Sequence, residues 1–310
     1  MLHHKSATEL RNLIMARDVS AREVLDAHLQ QIQSVNGTVN AIVTLDVDRA
    51  VQWSVEADEY QAKGGELGVL HGLPVVHKDL FSTAGMRTTF GSPIYKDHIP
   101  DSDELIIQRL RTAGAISIGK SNTPEFGAGS QTFNEVFGAT RNPYDLQKTC
   151  GGSSGGAAVA LATRMVPIAD GSDMGGSLRN PASFCNVVGF RPSTGRVPTW
   201  PSDNAWFSFG VQGPMARTVQ DVSLMLAAIA GPDRRVPLSI TEPPEQFLQS
   251  LDVDLRGKRV AFAPTLGGLP VCREVVRVIE EQRSIFTSLG CEVVDACLDF
   301  NKADEVFKIL

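Results

Sequence analysis

Cysteine is scarce in this sequence, and no two cysteines stand in the CxxC spacing of a metal or redox site. The five cysteines are odd in number and occupy positions 150, 185, 272, 291 and 297. A disulfide framework or a structural zinc site is therefore not expected, and reduced thiols are typical of cytoplasmic proteins. We predict a cytoplasmic location and no bound metal.

Long apolar runs and basic blocks are also missing. No stretch approaches the roughly 18 consecutive apolar residues of a membrane span, and the N-terminus MLHHKSATELRNLIMARDVS lacks the features of a signal peptide. The formal net charge is −6, from 29 Lys+Arg against 35 Asp+Glu. These features argue against nucleic acid or an anionic membrane as the principal partner.

What is present is the composition of an ordinary soluble globular protein, with 310 residues, 42% hydrophobic and 21% charged. Capping boxes at Ser6 to Glu9 and Ser20 to Glu23 predict two opening helices. Apolar periodicity then predicts helices at 47–63, 103–113, about 155–164, 218–230 and 272–288. It predicts strands at 41–45, in the core of 73–80, and at 115–120, 166–170, 259–263 and 291–296. This alternation predicts an α/β fold with a largely parallel sheet.

The chain shows no internal repeat and no clear linker. The stretch PPEQF (243–247) is a candidate surface loop and at most a weak domain boundary. The last ten residues, NKADEVFKIL, place Val306, Phe307 and Leu310 at helical spacing without a stop signal. We therefore expect the sequence to end inside a helix, as a fragment or a truncated product would.

Two glycine-rich stretches contain serines that could perform chemistry. In ADGSDMGGSLRNPASFCNVVGF (169–190), Ser177 follows two glycines and a predicted strand. Glycines let the backbone approach closely, so the N–H groups of residues 174–177 could bind a developing oxyanion, with Ser177 as the nucleophile. The alternative, non-catalytic interpretation is that Ser177 caps the following helix.

A serine nucleophile needs a base, and none of the histidines stands in a suitable setting. His71 and His77 only flank a predicted strand, so a Ser-His-Asp site is a weak hypothesis. Lys78, in GLPVVHKDLF, has apolar neighbours that could desolvate its amine and lower its pKa, which would leave it neutral and able to accept a proton. Its alternative role is a surface ion pair with Asp79.

The stretch CGGSSGGAAVALA (150–162) could connect these two groups. A serine of this loop could accept the proton of the nucleophile and pass its own proton to Lys78, and the flanking glycines would allow the strained backbone such a bridge needs. A phosphate-binding turn is the competing interpretation. The loop lacks the Gly-Lys-Ser/Thr ending of a P-loop, which disfavours it.

Several of these stretches together resemble the amidase signature family of Ser-Ser-Lys amidohydrolases. The resemblance rests on GLPVVHKDL, AGAISIGKSNTPEFGAGS, TCGGSSGGAAVALA, DGSDMGGSLRNPASFCNVVGFRPSTGRVP and GVQGPMARTVQD, and it covers most of residues 5–300. It implies a large mixed, mostly parallel, twisted sheet with helices on both faces. Residues 1–310 would form one amidase signature domain, C-terminally truncated relative to the family's usual length.

The resemblance also implies a role for individual residues. Ser177 matches the family nucleophile, Lys78 the family lysine, and Ser153 the bridging serine, because 24 residues separate it from Ser177 as in the family. The oxyanion and substrate-binding positions match Met174, Gly175, Gly176 and, more loosely, Gly127. Residues expected to support the site are Ser154, Asp173 and Arg179.

The implied activity is hydrolysis of a small-molecule carboxylic amide through an acyl-serine intermediate, without metal or organic cofactor. One alternative is the glutaminase subunit of a tRNA-dependent amidotransferase, which shares the site but works with a protein partner. Another is an inactive fragment or a non-catalytic binding protein. The oligomeric state is open, with a homodimer being common among relatives.

Some neighbouring residues have two interpretations. Cys185 could be a nucleophile of the nitrilase type, but its apolar segment PASFCNVV favours packing in the core. Glu125 and Arg141 are either polar walls of the site or solvated loop residues, the second being favoured. Trp200, Trp206 and Phe207 either line an acyl or aryl pocket or pack a loop.

Overall fold

The structure is a computed structural model and describes residues 1–309. Within these residues the α-helices are α1 Ala7–Ala16, α2 Ala21–Val39, α3 Val47–Ala62, α4 Leu105–Thr112, α5 Gly155–Ala162, α6 Arg179–Cys185, α7 Val219–Ile229, α8 Arg273–Glu281, α9 Arg283–Ser288 and α10 Ala303–Ile309. Over the same residues the strands are β1 Ile42–Leu45, β2 Pro74–Lys78, β3 Ile116–Ser121, β4 Phe133–Asn134, β5 Gly138–Ala139, β6 Arg141–Asn142, β7 Asp145–Thr149, β8 Ile168–Asp173, β9 Val188–Gly189, β10 Val211–Ala216, β11 Arg259–Phe262 and β12 Glu292–Asp295.

The two opening helices begin as the capping boxes predict. In α1 the Ser6 hydroxyl accepts the Glu9 N–H while the Glu9 carboxylate accepts the Ser6 N–H, and Ser20 and Glu23 repeat this exchange at α2. Each exchange satisfies N–H groups that a helix start otherwise leaves without partners. One predicted helix, 272–288, is divided at Gln282 into α8 and α9.

The main sheet has six strands in the order β1-β3-β2-β8-β10-β9. The central strands β3, β2 and β8 are parallel, whereas β1 pairs with β3, and β10 with β8 and β9, in antiparallel fashion. The sheet is therefore mixed, as predicted, but its parallel part is confined to the centre. The alternation of helices and strands could not reveal this, because β10 follows a long irregular segment and returns antiparallel.

Helices cover both faces of this sheet. Neighbouring residues of a strand point to opposite faces, and Val76 belongs to one apolar cluster while Val75 belongs to the other. The first cluster contains side chains of α2, α3 and α5, and the second contains side chains of α1, α4 and α7. The short helix α5 is apolar and buried through Leu161, so it places its N-terminal loop in the interior.

The chain divides into two compact units, Met1–Gln249 and a second unit that begins at Ser250. The boundary closely follows the predicted surface segment 243–247, most of which lies in a 3-10 helix, Pro244–Leu248. The second unit contains the parallel pair β11 and β12 with helices α8, α9 and α10. Whether residues 1–310 form one amidase signature domain stays a prediction.

The predicted terminal helix is present as α10, with Val306 and Phe307 exposed. Leu310 lies outside the described residues. Within residues 1–309, none of the helices has both the length and the apolar character needed to cross a membrane.

Candidate active site

Lys78 ends the central strand β2, and its side chain is completely buried. Its amine is hydrogen-bonded to three hydroxyls, those of Ser153 at 2.7 Å, Ser154 at 2.9 Å and Ser172 at 3.0 Å. A neutral amine has two N–H donors and one lone pair, so three hydroxyls satisfy it when two accept and one donates. This setting suits a proton acceptor.

Burial also sets the charge of this amine. Desolvation lowers the pKa of Lys78 to about 7, although the negative charges of Asp170 and Asp173 oppose the shift. An ordinary lysine is almost entirely protonated at neutral pH. Lys78 is therefore divided between amine and ammonium near pH 7. Because the side chain is buried among three hydroxyls, the alternative of a surface ion pair with Asp79 does not describe it.

The loop before α5 brings Ser153 and Ser154 to the lysine, and it needs its glycines. Gly151 has a φ of +74°, and a Cβ there would lie 2.5 Å from the Asn180 side-chain oxygen. At Gly156, in the first turn of α5, a Cβ would lie 2.2 Å from the backbone nitrogen of Asn122. The Gly152–Ser153 peptide bond is cis. Larger residues would push the loop away from the lysine.

Ser177 lies in the loop between β8 and α6, next to the serine loop. Its backbone carbonyl accepts the N–H of Ser154 at 3.2 Å, and its side chain is partly exposed. Within residues 1–309 its hydroxyl makes no hydrogen bond to Ser153 or Lys78. The structure thus joins Lys78 directly to Ser153 and brings the Ser177 backbone into contact with Ser154, without the second hydroxyl contact.

Asp173 fixes the loop that carries Ser177. Its buried carboxylate accepts the N–H groups of Gly176 at 2.9 Å and Leu178 at 3.2 Å, and it forms a two-point ion pair with Arg179. Burial alone would raise the pKa of Asp173, but these donors outweigh burial and lower it to about 2. The carboxylate is therefore charged at every physiological pH.

Arg191 is a second partner of Asp173 that the sequence did not indicate. It donates to the Asp173 carboxylate at 2.9 Å, to the Asp173 carbonyl, and to the Phe209 carbonyl at 2.8 Å. Arg191 follows β9, so only the folded sheet brings it to the end of β8. No local pattern in the sequence could have identified it.

The predicted oxyanion site stays a prediction, and one of its N–H groups already has a partner. The Gly176 N–H already donates to Asp173, because a buried carboxylate needs several donors. The N–H groups of Met174, Gly175 and Ser177 donate no hydrogen bond to any residue of the described chain. Among the N–H groups of the predicted oxyanion site, these three have no partner in the described chain.

Gly127 lies near the Ser153 side chain, and its expected place in the lining of the substrate site stays a prediction. A Cβ on this residue would come within 3.7 Å of the Ser153 hydroxyl oxygen and 2.6 Å of the Leu80 side chain. The preceding Phe126 is half exposed and packs edge-on against Tyr95. Nearby, the Glu125 carboxylate accepts the Ser92 hydroxyl at 2.6 Å, whereas Arg141 is solvent-exposed.

A cavity of about 260 Å³ opens beside Ser172 and Met174. Its apolar walls include Phe81, Val197, Phe207, Val211, Val236 and Leu238. The one carboxylate in the lining, Asp173, is already paired with two arginines. The lining also contains neutral polar side chains, namely Ser172, Thr194, Thr199, Ser202, Asn204 and Gln212. Such a lining matches an uncharged, largely apolar group.

The aromatic residues of the 200–207 segment take different positions. Phe207 lines the cavity, whereas Trp206 is 71% exposed. The Arg235 guanidinium lies over the Trp200 ring, 4.1 Å from its centroid. Cys185 is fully buried in an apolar cluster, which confirms its predicted packing role. Within residues 1–309 no group of three or more His, Cys, Asp or Glu side chains could hold a metal ion.

Comparison with known proteins gives a consistent result. A family model described as Amidase matches residues 23–309. The chain is 38% identical over 304 residues to an acylamidase of Rhodococcus erythropolis, covering 98% of this chain and 64% of that protein. It is 40% identical over 304 residues to a glutamyl-tRNA(Gln) amidotransferase component of Acidothermus cellulolyticus, covering 97% of this chain and 60% of that protein.

The crystal structure of a bacterial aryl acylamidase of the amidase signature enzymes superposes with a TM-score of 0.90 at 33% identity. The match covers 94% of this chain and 61% of that chain. The likeness confirms the predicted fold class. The present chain spans 60% to 64% of the length of these three proteins.

Proposed function

The chain belongs to the amidase family, and we propose that it hydrolyses a carboxylic amide to an acid and ammonia or an amine through an acyl-serine intermediate. The observation that supports this most directly is the buried Lys78 amine, 2.7 Å from the Ser153 hydroxyl and beside the loop that carries Ser177. A neutral base, a hydroxyl relay and a partly exposed serine are the parts that acyl transfer needs.

In the first step Ser177 Oγ attacks the carbonyl carbon of the amide. Its proton passes to Ser153 Oγ, and the Ser153 proton passes to Lys78 Nζ. This relay requires the Ser177 hydroxyl to turn toward Ser153 when substrate binds, since catalytic hydrogen bonds often tighten only in the complex. As the bond from Ser177 Oγ to the carbonyl carbon forms, the carbonyl π bond breaks and its electron pair moves onto the oxygen, which becomes the oxyanion.

The N–H groups of Met174, Gly175 and Ser177 would hold this oxyanion. Collapse of the tetrahedral intermediate breaks the C–N bond, and the leaving amine takes the proton back through Ser153 from Lys78. Water then attacks the ester carbon under the same base, and Ser177 is regenerated with release of the acid. The chemistry needs only side-chain and backbone groups of the chain, so no cofactor is part of the proposal.

The lining of the cavity beside Met174 favours an amide with an uncharged, largely apolar substituent. Its walls supply no free cation or anion to a charged substrate group. This favours a general amidase, like the acylamidases that the chain resembles, and we place the protein in the cytoplasm as a small-molecule hydrolase. A homodimer is the assembly we propose for it.

A glutaminase subunit is the second candidate, because several relatives are named as components of a glutamyl-tRNA(Gln) amidotransferase. Glutamine bears both an ammonium and a carboxylate, which the described cavity does not match. The candidates separate on glutamine hydrolysis with and without added partner subunits. Dependence on partners would favour the subunit role, and partner-free hydrolysis of neutral amides would favour the general amidase.

The direct test is hydrolysis of a library of aliphatic and aryl amides by this chain, beside a version extended to the length of the relatives. Release of acid and amine in both samples, lost in Ser177→Ala, supports the proposal for the chain itself. Activity in the extended version alone would mean that residues beyond this sequence complete the site. No activity in either version would overturn the proposal.

A further inference from the structure

A second set of buried polar contacts lies directly behind the catalytic lysine. The Asp170 carboxylate on β8 accepts the backbone N–H of Lys78 at 2.7 Å, and its other oxygen contacts His77 Nδ1 at 2.5 Å. The second ring nitrogen of His77 contacts the Ser117 hydroxyl at 2.7 Å. These residues lie on β8, β2 and β3, the three parallel strands at the centre of the sheet.

The chemistry of the acceptor assigns the protons in this set. An ionised carboxylate can only accept, so His77 Nδ1 must carry a hydrogen and donate it to Asp170. Ser117 then satisfies the other ring nitrogen. Each buried polar group thereby has a partner, which a network of this kind needs in order to be stable.

Ser117, His77 and Asp170 contact one another in the order found in a hydrolase triad. However, all three are buried, so a substrate cannot reach them. Ser117 is 1% exposed, and His77 and Asp170 are fully buried. A nucleophile must reach the substrate carbonyl, so the set does not attack anything itself. Its one link to the proposed chemistry is the contact of Asp170 with Lys78.

We propose that Asp170 is a positioning residue for Lys78: it anchors the end of β2 through the Lys78 N–H, and its charge favours the protonated form of the Lys78 amine. His77 and Ser117 hold the carboxylate in place. The expected effect of Asp170 on the rate of hydrolysis rests on the proposed function, in which Lys78 is the base. The anchoring and the charge effect concern the lysine itself and do not depend on turnover.

Other charged groups surround this lysine and must be separated from Asp170. Asp173 lies on the same strand, β8, but it is paired with Arg179 and Arg191. Asp79 follows Lys78 in the chain and accepts Thr89 donors, and the buried Lys120 on β3 donates to the Phe81 carbonyl and the Thr83 hydroxyl. The helix α5 carries no titratable side chain. Among these carboxylates, Asp170 is the one that accepts a hydrogen bond from Lys78 and has no arginine partner in the described chain.

Asp170→Asn removes the charge and can keep every contact. The asparagine oxygen can accept the Lys78 N–H, while its NH₂ donates to His77 Nδ1. His77 then takes the other tautomer and donates from Nε2 to Ser117. The variant therefore tests charge without removing the anchor. If it does not fold, Asp170→Ser removes the charge and part of the anchor together, and the Lys78 midpoint should still fall.

The experiment is an NMR titration of the protein labelled with [13Cε]lysine, with the Lys78 signal assigned from Lys78→Met. The wild-type midpoint is expected near pH 7. In Asp170→Asn it should fall by about one unit, because the negative charge of Asp170 favours the ionised form of the Lys78 amine. The acid limb of kcat/KM should move in the same direction.

Asp221→Asn is the matched control. Asp221 is a fully buried carboxylate on α7 that accepts a backbone N–H and a hydroxyl from Thr8, both at 2.8 Å, but it has no link to Lys78. The Lys78 midpoint in this control should equal that of the wild type. An unchanged or higher midpoint in Asp170→Asn would overturn the proposal. Absence of amidase activity would instead count against the proposed function, because the titration needs no turnover.

Discussion

The amine of Lys78 and the hydroxyl of Ser153 lie 2.7 Å apart although 75 residues separate them in the chain. The contact is buried, and burial lowers the pKa of Lys78 to about 7. A serine hydroxyl is a poor nucleophile without a base. This contact supplies a base, whereas none of the histidines in residues 1–309 lines the cavity beside Met174. The proposed reaction follows from this pair and from the position of Ser177 next to it.

The pH dependence of hydrolysis should report the ionisation of Lys78. Because the neutral amine is the active form, kcat/KM should rise with pH through a midpoint near 7 and then level off. The measurement is kcat/KM for a neutral amide between about pH 5 and 9. Lys78→Met should lower the rate by about three orders of magnitude or more. A rate that declines as pH rises from 6 to 8 would contradict a lysine base.

Folding stability should also depend on this lysine. The pKa of Lys78 falls from its ordinary value of 10.5 to about 7 on folding, so between these pH values the unfolded chain binds more protons than the folded chain. The free energy of unfolding should therefore rise as pH increases from about 7 toward 10. Burial also lowers the pKa of Lys120, to about 8, which adds a rise of the same sign.

Urea denaturation of wild type and Lys78→Met at both ends of this range separates the two lysines. The variant keeps the contribution of Lys120 but loses that of Lys78, so its stability should rise less. Equal increases in the two proteins would mean that Lys78 does not change its protonation on folding.

Arg191 should matter for both activity and stability although it lies outside the predicted set. Arg191→Ala removes donors to the Asp173 carboxylate and carbonyl, and the loop that carries Ser177 should loosen. We expect kcat/KM to fall by about 10- to 100-fold and the free energy of unfolding by about 1–3 kcal/mol. Arg256→Ala, which breaks an exposed pair with Asp254, is the control. If the two variants behave alike, Arg191 does not support the site.

The cavity should decide which amides are hydrolysed. Ala205 lies in its lining, and Ala205→Trp should fill part of the 260 Å³. Two series of amides, with growing apolar substituents on the acyl side and on the amine side, reveal which substituent enters. The largest members of one series should lose about 10-fold or more in kcat/KM relative to the smallest. A uniform loss across both series would show that the cavity does not hold the substrate.

Local patterns were sufficient for much of the fold. The Ser6 and Ser20 caps, the apolar strand around Val75 and Val76, and the helix at 219–229 are each encoded by residues close in sequence. The strand β10 was missed because Gly213 and Pro214 disfavour strand structure locally. It forms because all six of its residues pair with β8.

The candidate site, too, has features that the local sequence predicts and features that depend on contacts distant in the chain. The environment of Lys78 could be predicted from its apolar neighbours, and the serine loop from its glycines. Ser172, Asp170 and Arg191 could not, since each acts through contacts between strands that are distant in the chain. The engagement of the Gly176 N–H by Asp173 is of this kind too, because it depends on the turn after β8.

The most direct test of the account is to trap the covalent intermediate. The chain is treated with a fluorophosphonate serine probe and then mapped by peptide mass spectrometry, together with Ser177→Ala, Lys78→Met and the exposed control Ser183→Ala. We predict one modification, on the peptide that contains Ser177, absent in Ser177→Ala, much slower in Lys78→Met and unchanged in Ser183→Ala. Modification of another residue, or labelling that persists in Ser177→Ala, would contradict the assignment of Ser177 as the nucleophile.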